Sequence, residues 1–212
     1  MIWGESAMED QFVFIVDDDE AMRDSLAWLL ESNGLRVRSF ESGEAFLDAW
    51  RADMAGCLVL DVRMPGISGL ELHERLQALN SPLPIIFVTG HGDVPMAVSA
   101  LKKGAADFIE KPFNDKEILR LIEQCLATDR EQQSRRRRYA EISGRLAALT
   151  PREREVMDLM AAGRLNKQIA DDLGISIKTV EVHRSRVMDK MEVRSVAELV
   201  QLVMKRPPQP GG

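Results

Sequence analysis

The chain has 212 residues, of which 45% are hydrophobic and 29% charged, a composition typical of a globular protein with one large or two modest domains. No apolar run reaches about 18 residues and no basic flank precedes an apolar stretch at the N-terminus, which argues against a membrane span and a secretory signal. The charge is uneven: residues 1–130 carry a net −11 and residues 131–212 a net +5. This asymmetry favours a signalling or metal-binding half joined to a nucleic-acid-binding half.

Short apolar strands alternate with helices between Phe12 and about Leu126. Strands are predicted at Phe12–Val16, Val37–Phe40, Cys57–Asp61, Pro84–Thr89 and Asp107–Ile109. Helices are predicted at Glu20–Ser32, Ser42–Arg51, Gly69–Leu79, Pro95–Leu101 and Lys116–Leu126. Five such βα units predict an α/β fold, a five-stranded doubly wound parallel sheet with helices on both faces, over residues 12–127. The cysteines, Cys57 and Cys125, are expected to be reduced core residues of a cytoplasmic protein.

The segments outside this repeat differ in character. Residues 1–11 are expected to form a flexible extension, and residues 207–212 a disordered tail. Residues 128–145 are predicted to be a helical or hinge-like linker, because the stretch up to Arg138 is polar and a short amphipathic pattern starts at Tyr139. The arginine run in it is expected to be solvated. Residues 146–206 are predicted to form a small all-α helix-turn-helix domain opened by a capping box at Thr150–Glu153.

Acidic residues follow two of the predicted buried strands. Asp17, Asp18 and Asp61 stand at strand ends, where parallel sheets bind ligands. Crowded carboxylates require a divalent cation or a raised pKa, and hard oxygen ligands favour Mg²⁺. Thr89 and Lys111 end the next two strands and reach the same edge. A hydroxyl and an ammonium beside a carboxylate suit an incoming phosphoryl group, so we predict that Asp61 is the nucleophile.

This segment resembles the receiver domain of bacterial response regulators, in the acidic pair, Met64-Pro65-Gly66, Thr89-Gly90 and Lys111-Pro112. The resemblance implies a flavodoxin-like fold and phosphorylation of Asp61 by a sensor histidine kinase. It also implies a Mg²⁺ site from Asp17, Asp18, Asp61 and the backbone carbonyl of Arg63. Lys111-Pro112 is expected to be a cis peptide and Phe108 the aromatic switch residue. Phosphorylation is then expected to alter the face of the fourth predicted helix and fifth strand, through which a homodimer would form.

The C-terminal segment carries a helix-turn-helix pattern. Asn166–Leu173 and Ile177–Met191 are its predicted helices, and the second places Val180, Val187 and Met191 on one inward stripe. The segment resembles the LuxR-type output domain of NarL/FixJ regulators, and the whole chain resembles the FixJ branch. By this resemblance, the DNA-contacting side chains are those of Lys178, Thr179, Glu181, Val182, His183, Ser185 and Arg186. Glu181, Val182 and Ser185 would face base edges, although some relatives often carry a basic residue at the positions of Glu181 and Ser185.

The prediction is therefore a phosphorylation-controlled transcription factor that is not an enzyme. It would bind double-stranded promoter DNA as a homodimer and work with RNA polymerase, more in keeping with activation than repression. Two other classes remain open at this point. A haloacid-dehalogenase-type phosphatase also uses a strand-end aspartate, but it carries a second acid where this chain has Arg63. Alternatively, the helical domain would bind protein or RNA rather than DNA.

Overall fold

The structure, a computed structural model, describes residues 11–90, 98–99 and 101–204. The predicted tail, nearly all of the predicted N-terminal extension, and His91 with most of the helix predicted over Pro95–Leu101 lie outside these residues. The chain divides into two compact units, Met1–Gln132 and Gln133–Gly212. No helix within the described ranges is long and apolar enough to cross a bilayer.

The first unit is built on one parallel sheet. Its strands are β1 (Phe12–Val16), β2 (Val37–Phe40), β3 (Gly56–Asp61), β4 (Ile85–Thr89) and β5 (Asp107–Glu110). They lie in the order β2-β1-β3-β4-β5, which is the order of flavodoxin-like folds. Because the strands are parallel, their carboxyl ends meet at one edge, where β1 and β3 are neighbours.

Both faces of the sheet are buried, which explains the continuous apolar runs of its central strands. On one face Val13, Ile15 and Val59 pack with residues of α1 (Glu20–Ser32). On the other face Phe14, Leu60 and Phe87 form a second core. The alternation follows from the two-residue period of a strand. Cys57 and Cys125 are both free and buried in the first of these cores.

Two short helices cover the second face, α2 (Gly43–Ala49) and α3 (Gly69–Ala78). The predicted second helix began at Ser42 and reached Arg51, but Ser42 is extended and caps α2, accepting a hydrogen bond from Ala45 N at 3.1 Å. Such a cap satisfies one of the unpaired amides at a helix start. The helix ends early because Trp50 is extended.

The largest difference from the predicted elements is α4, a single helix over Asp115–Ala147. The sequence predicted a helix ending near Leu126 and a separate short one from Tyr139. The intervening residues are rich in Glu, Gln and Arg and contain neither Gly nor Pro, so nothing in them breaks a helix. One residue of this polar stretch is buried. Asp129 is fully buried and accepts hydrogen bonds from Gln11 Nε2 (2.7 Å) and Gly56 N (2.8 Å).

Up to residue 204, where the described part of the second unit ends, four further helices follow: α5 (Pro151–Ala161), α6 (Asn166–Leu173), α7 (Ile177–Met191) and α8 (Val196–Met204). Their inner faces form one apolar cluster around Val156, Met160 and Ile169. The helix α6 ends at Gly174, whose φ of 63° suits a left-handed residue after a helix. Ser176 then caps α7 by accepting a hydrogen bond from Thr179 N at 3.1 Å, so α6 and α7 form a helix-turn-helix.

Candidate functional site

A lysine ammonium joins two carboxylates at the carboxyl edge of the sheet. Lys111 Nζ lies 2.9 Å from Asp17 Oδ2 and 2.7 Å from Asp61 Oδ1. Asp17 follows β1, Asp61 ends β3, and Lys111 follows β5, so three separate strands deliver these side chains. The structure thereby brings together three residues that the sequence predicted to share one site. Asp18 lies beside Asp17 in the chain and is solvent-exposed.

The surroundings of Asp61 shift the pKa of its carboxyl in opposing directions. Burial raises the pKa of its carboxyl above the usual range, and the charge of Asp17 acts in the same direction. The hydrogen bond and charge of Lys111, with the Arg63 amide donating to Asp61 Oδ2 at 2.6 Å, oppose that rise. Partial burial disfavours the Lys111 ammonium, yet its bonds to Asp61 and Asp17 raise the pKa of Lys111 overall. The site therefore holds a cation tightly against a carboxylate that burial makes less acidic.

Thr89 supplies an unused hydroxyl at this edge. Its side chain is fully buried, and Oγ1 has no hydrogen-bond partner among the described residues. A buried hydroxyl without a partner is costly, so its retention calls for an explanation. Phe108 is half-buried and packs against the core on the Phe87 side of the sheet. Because Phe108 pairs with Phe87, two residues before Thr89, Phe108 and Thr89 point to the same face.

Backbone packing fixes the loop after Asp61, and no motif in the sequence pointed to it directly. Gly69 N donates to Val62 O at 3.0 Å, and a Cβ on Gly69 would overlap the Asp61 carbonyl oxygen. The start of α3 can therefore lie this close to β3 only because residue 69 is glycine. Glu44 also supports the loop by accepting a hydrogen bond from Ile67 N at 2.9 Å. The Lys111-Pro112 peptide is cis, as the resemblance implied.

The donor set suits a hard cation. Among the described residues, the oxygens near Asp61 come from carboxylates and backbone, with no thiolate or imidazole beside them, which is the ligand chemistry of Mg²⁺ rather than zinc. Within the part of the chain that the structure describes, no group of three or more acidic, His or Cys side chains is already gathered as a metal cage. The ammonium of Lys111 instead bridges two of the carboxylates in this arrangement.

In the second unit, α7 has one buried and one exposed face. Val180, Val187 and Met191 are fully buried, as the predicted stripe required. The opposite side is solvent-exposed, including Val182 at 45%. The exposed side chains among those predicted to contact DNA are Lys178, Thr179, Glu181, Val182, Ser185 and Arg186. His183, the seventh, is only half-buried, and its Nδ1 is buried without a partner among the described residues.

An ion pair connects α5 to α7, which the sequence did not reveal. Lys190 Nζ lies 2.6 Å from Glu153 Oε2. Glu153 was predicted only as part of a capping box, which is present: Thr150 N donates to Glu153 Oε2 at 2.9 Å. The hydrogen bonds from Lys190 and the Thr150 amide lower the pKa of Glu153 to about 2. The capping residue therefore also holds the exposed helix in place.

Family models match both units. The response regulator receiver domain matches residues 13–123, and the model described as bacterial regulatory proteins, luxR family, matches residues 147–203. The first match contains the carboxylate–lysine site, and the second contains the helix-turn-helix.

Full-length relatives and a solved structure agree with these matches. The chain is 48% identical over 193 residues to the transcriptional regulatory protein FixJ of Bradyrhizobium diazoefficiens, covering 91% of this chain and 94% of that protein. It is 50% identical over 192 residues to FixJ of Azorhizobium caulinodans, covering 91% of each. Response regulator StyR, a solved structure, has a TM-score of 0.89 and 46% identity, covering 92% of this chain and 99% of that one. This chain belongs to the two-component response regulators that join a receiver domain to a LuxR-type DNA-binding domain and regulate transcription.

Proposed function

We propose that Asp61 is the residue that receives a phosphoryl group from a sensor histidine kinase. One observation carries this proposal: Lys111 Nζ contacts both Asp61 and Asp17, at the sheet edge where β4 ends in Thr89, whose buried hydroxyl has no partner among the described residues. A phosphoryl group on Asp61 would supply acceptor oxygens for that hydroxyl and for the ammonium. The same groups would thus stabilise both the transfer and the product.

The transfer follows from this arrangement. An oxygen of the Asp61 carboxylate attacks phosphorus, the phosphorus–nitrogen bond to the kinase histidine breaks, and the imidazole leaves with a proton from solvent. Lys111 and the Thr89 hydroxyl offset the charge on the phosphoryl oxygens. Asp17, Asp18, Asp61 and the Arg63 carbonyl would hold Mg²⁺, which fits their hard oxygen chemistry. The cation, when bound, neutralises part of the negative charge that gathers at the transferring group.

The switch would use the shared face of Thr89 and Phe108. A phosphoryl group draws the Thr89 hydroxyl toward Asp61, and the space it leaves admits the Phe108 ring. This movement alters β5 and the adjoining helix predicted over 95–101, and two receivers pair through that face. Pairing places two helix-turn-helix units on one two-fold DNA site.

The DNA-contacting residues would be those of the exposed face of α7. We propose that Glu181, Val182 and Ser185 reach base edges in the major groove, with the Val182 methyl groups suited to a thymine methyl. The remaining predicted contacts would be to phosphates, through Lys178, Thr179, His183 and Arg186. Bound near a promoter, the dimer would activate transcription through RNA polymerase.

The proposal is tested with acetyl phosphate and Mg²⁺ on three forms of the full chain: wild type, Asp61→Asn and Asp24→Asn. Asp24 is an exposed carboxylate on α1 and serves as the matched control. Intact mass and light scattering should show one added phosphoryl group and a dimer for wild type and Asp24→Asn, and neither for Asp61→Asn. Phosphoryl uptake by Asp61→Asn, or its dimerisation on treatment, would contradict the proposal.

A further inference from the structure

Polar contacts join the C-terminal ends of α4 and α7 within the second unit. Arg145, in the last turn of α4, donates from Nη1 to Met191 O at 3.3 Å, and its Nη2 lies 2.7 Å from Glu192 Oε2. Lys190 Nζ donates a hydrogen bond to Ala148 O at 3.0 Å, directly after the end of α4. All of these bonds involve residues 190–192, where α7 ends.

Arg145 has the properties of a cap supplied from another helix. The last carbonyls of a helix lack partners within it, and a cation near that end is favourable. Met191 O is one of these carbonyls, and Glu192 follows in a left-handed conformation with φ of 52°. Leu146, next to Arg145, packs against the apolar cluster that contains Met191. The end of α4 therefore belongs to the packing of α7.

The same helix starts in the core of the receiver. Ile118 and Ile122 of α4 are fully buried there, and Asp129 is bound by Gln11 and the Gly56 amide. Between the two sets of contacts lies the exposed run Arg135–Arg138. The first part of α4 thus has buried contacts within the first unit, and its last turn has capping contacts within the second.

We propose that Arg145 is a positioning residue that couples phosphorylation of the receiver to α7, the helix whose exposed side chains are proposed to contact DNA. The inference rests on the proposed function, because it concerns how phosphorylation changes DNA affinity. In this proposal, a conformational change at the start of α4 alters its last turn. The contacts of Arg145 then transmit that change to the end of α7. The coupling between two such sites typically changes affinity 5- to 150-fold.

The first test compares full-length wild type, Arg145→Ala and Arg138→Ala. Arg138 is an exposed arginine of the same helix and serves as the control. DNA affinity is measured by anisotropy on a duplex selected with the wild type, with and without acetyl phosphate and Mg²⁺. We expect wild type and Arg138→Ala to gain affinity by the same factor, and Arg145→Ala to gain less than about threefold. A merely structural role would weaken both states equally, and an unchanged gain in Arg145→Ala would overturn the proposal.

A second measurement does not depend on DNA. Amide hydrogen exchange at residues 190–193 is followed in the full chain before and after phosphorylation. We expect a change in wild type that is absent in Arg145→Ala and partly restored in Arg145→Lys. No change in wild type, or equal changes in wild type and Arg145→Ala, would overturn the role of Arg145. If wild type takes up phosphate without gaining DNA affinity, the proposed function fails while the exchange data still decide on Arg145.

Discussion

Gly69 and Asp61 approach so closely that a side chain on the glycine would overlap the Asp61 carbonyl oxygen. Gly69 N also donates to Val62 O at 3.0 Å, so the start of α3 and the end of β3 form one rigid turn. Asp61, directly before this turn, contacts Lys111 Nζ through Oδ1 at 2.7 Å. The close packing of β3 against α3 next to Asp61 therefore depends on glycine at position 69.

Gly69→Ala should destabilise the receiver and slow phosphorylation. The new Cβ meets backbone that must move, and overpacking of this kind costs about 1–3 kcal/mol in the free energy of unfolding. Urea unfolding and labelling by acetyl phosphate measure the two effects. Gly144→Ala is the control, because a Cβ there meets nothing within 4 Å and the residue is inside α4. It should stabilise the chain by about 0.5–1 kcal/mol; equal effects of the two variants would refute the close approach.

Thr89→Val should leave the unphosphorylated chain as stable as wild type or more stable. The substitution keeps the shape and removes a hydroxyl that has no partner among the described residues, and an unsatisfied buried polar group costs about 1–3 kcal/mol. Phosphorylation-dependent dimerisation should nevertheless be lost, whereas Thr89→Ser should retain much of it. A large loss of unfolding free energy in Thr89→Val would show that the hydroxyl is already bonded.

The pKa of Asp61 should respond in opposite directions to its two charged neighbours. Lys111→Gln removes a group that favours the carboxylate, so the pKa of Asp61 should rise further. Asp17→Asn removes a like charge, so the pKa should fall. NMR titration of the Asp61 carboxyl without divalent cations measures both shifts. An unchanged pKa in both variants would show that burial alone sets the acidity of Asp61, and shifts of the same sign would contradict the opposite effects of the two neighbours.

The ion pair of Glu153 and Lys190 should make the output domain acid-sensitive. The pKa of Glu153 is lowered to about 2 from an ordinary value of 4.5. Its contribution to stability is therefore complete above about pH 4.5 and is lost as the pH falls toward 2. Thermal unfolding between pH 6 and 2.5 should show a steeper loss in wild type than in Lys190→Met. Parallel curves for the two proteins would mean that the pair contributes nothing.

The parts of the molecule that depend on local patterns were predictable from sequence. Apolar runs ending in Asp17 and Asp61 predicted the strands and their common edge, and the period of Val180, Val187 and Met191 predicted the buried face of α7. Strand order, by contrast, and the pairing of Lys190 with Glu153, depend on tertiary packing. Lys190 and Glu153 lie on different helices, and no local pattern indicated that they would meet.

The segment between the two units shows what local patterns do not reveal. Its polar sequence predicts a helical or hinge-like linker, but it indicates neither a buried contact nor one continuous helix. Asp129 is buried all the same, and its Oδ2 accepts hydrogen bonds from Gln11 Nε2 and the Gly56 amide. Intrinsic helix propensity then carries α4 through the arginine run. The absence of Gly and Pro between Asp115 and Ser143 predicts a continuous helix better than the polar composition predicts a hinge.

The most direct measurement is the affinity of the full chain for a selected DNA duplex, with and without acetyl phosphate and Mg²⁺, in wild type and Asp61→Asn. Phosphorylation should raise the affinity of wild type at least about fivefold and leave Asp61→Asn unchanged. An equal rise in both proteins, or none in a wild type shown by mass to be phosphorylated, would contradict control of DNA binding through Asp61.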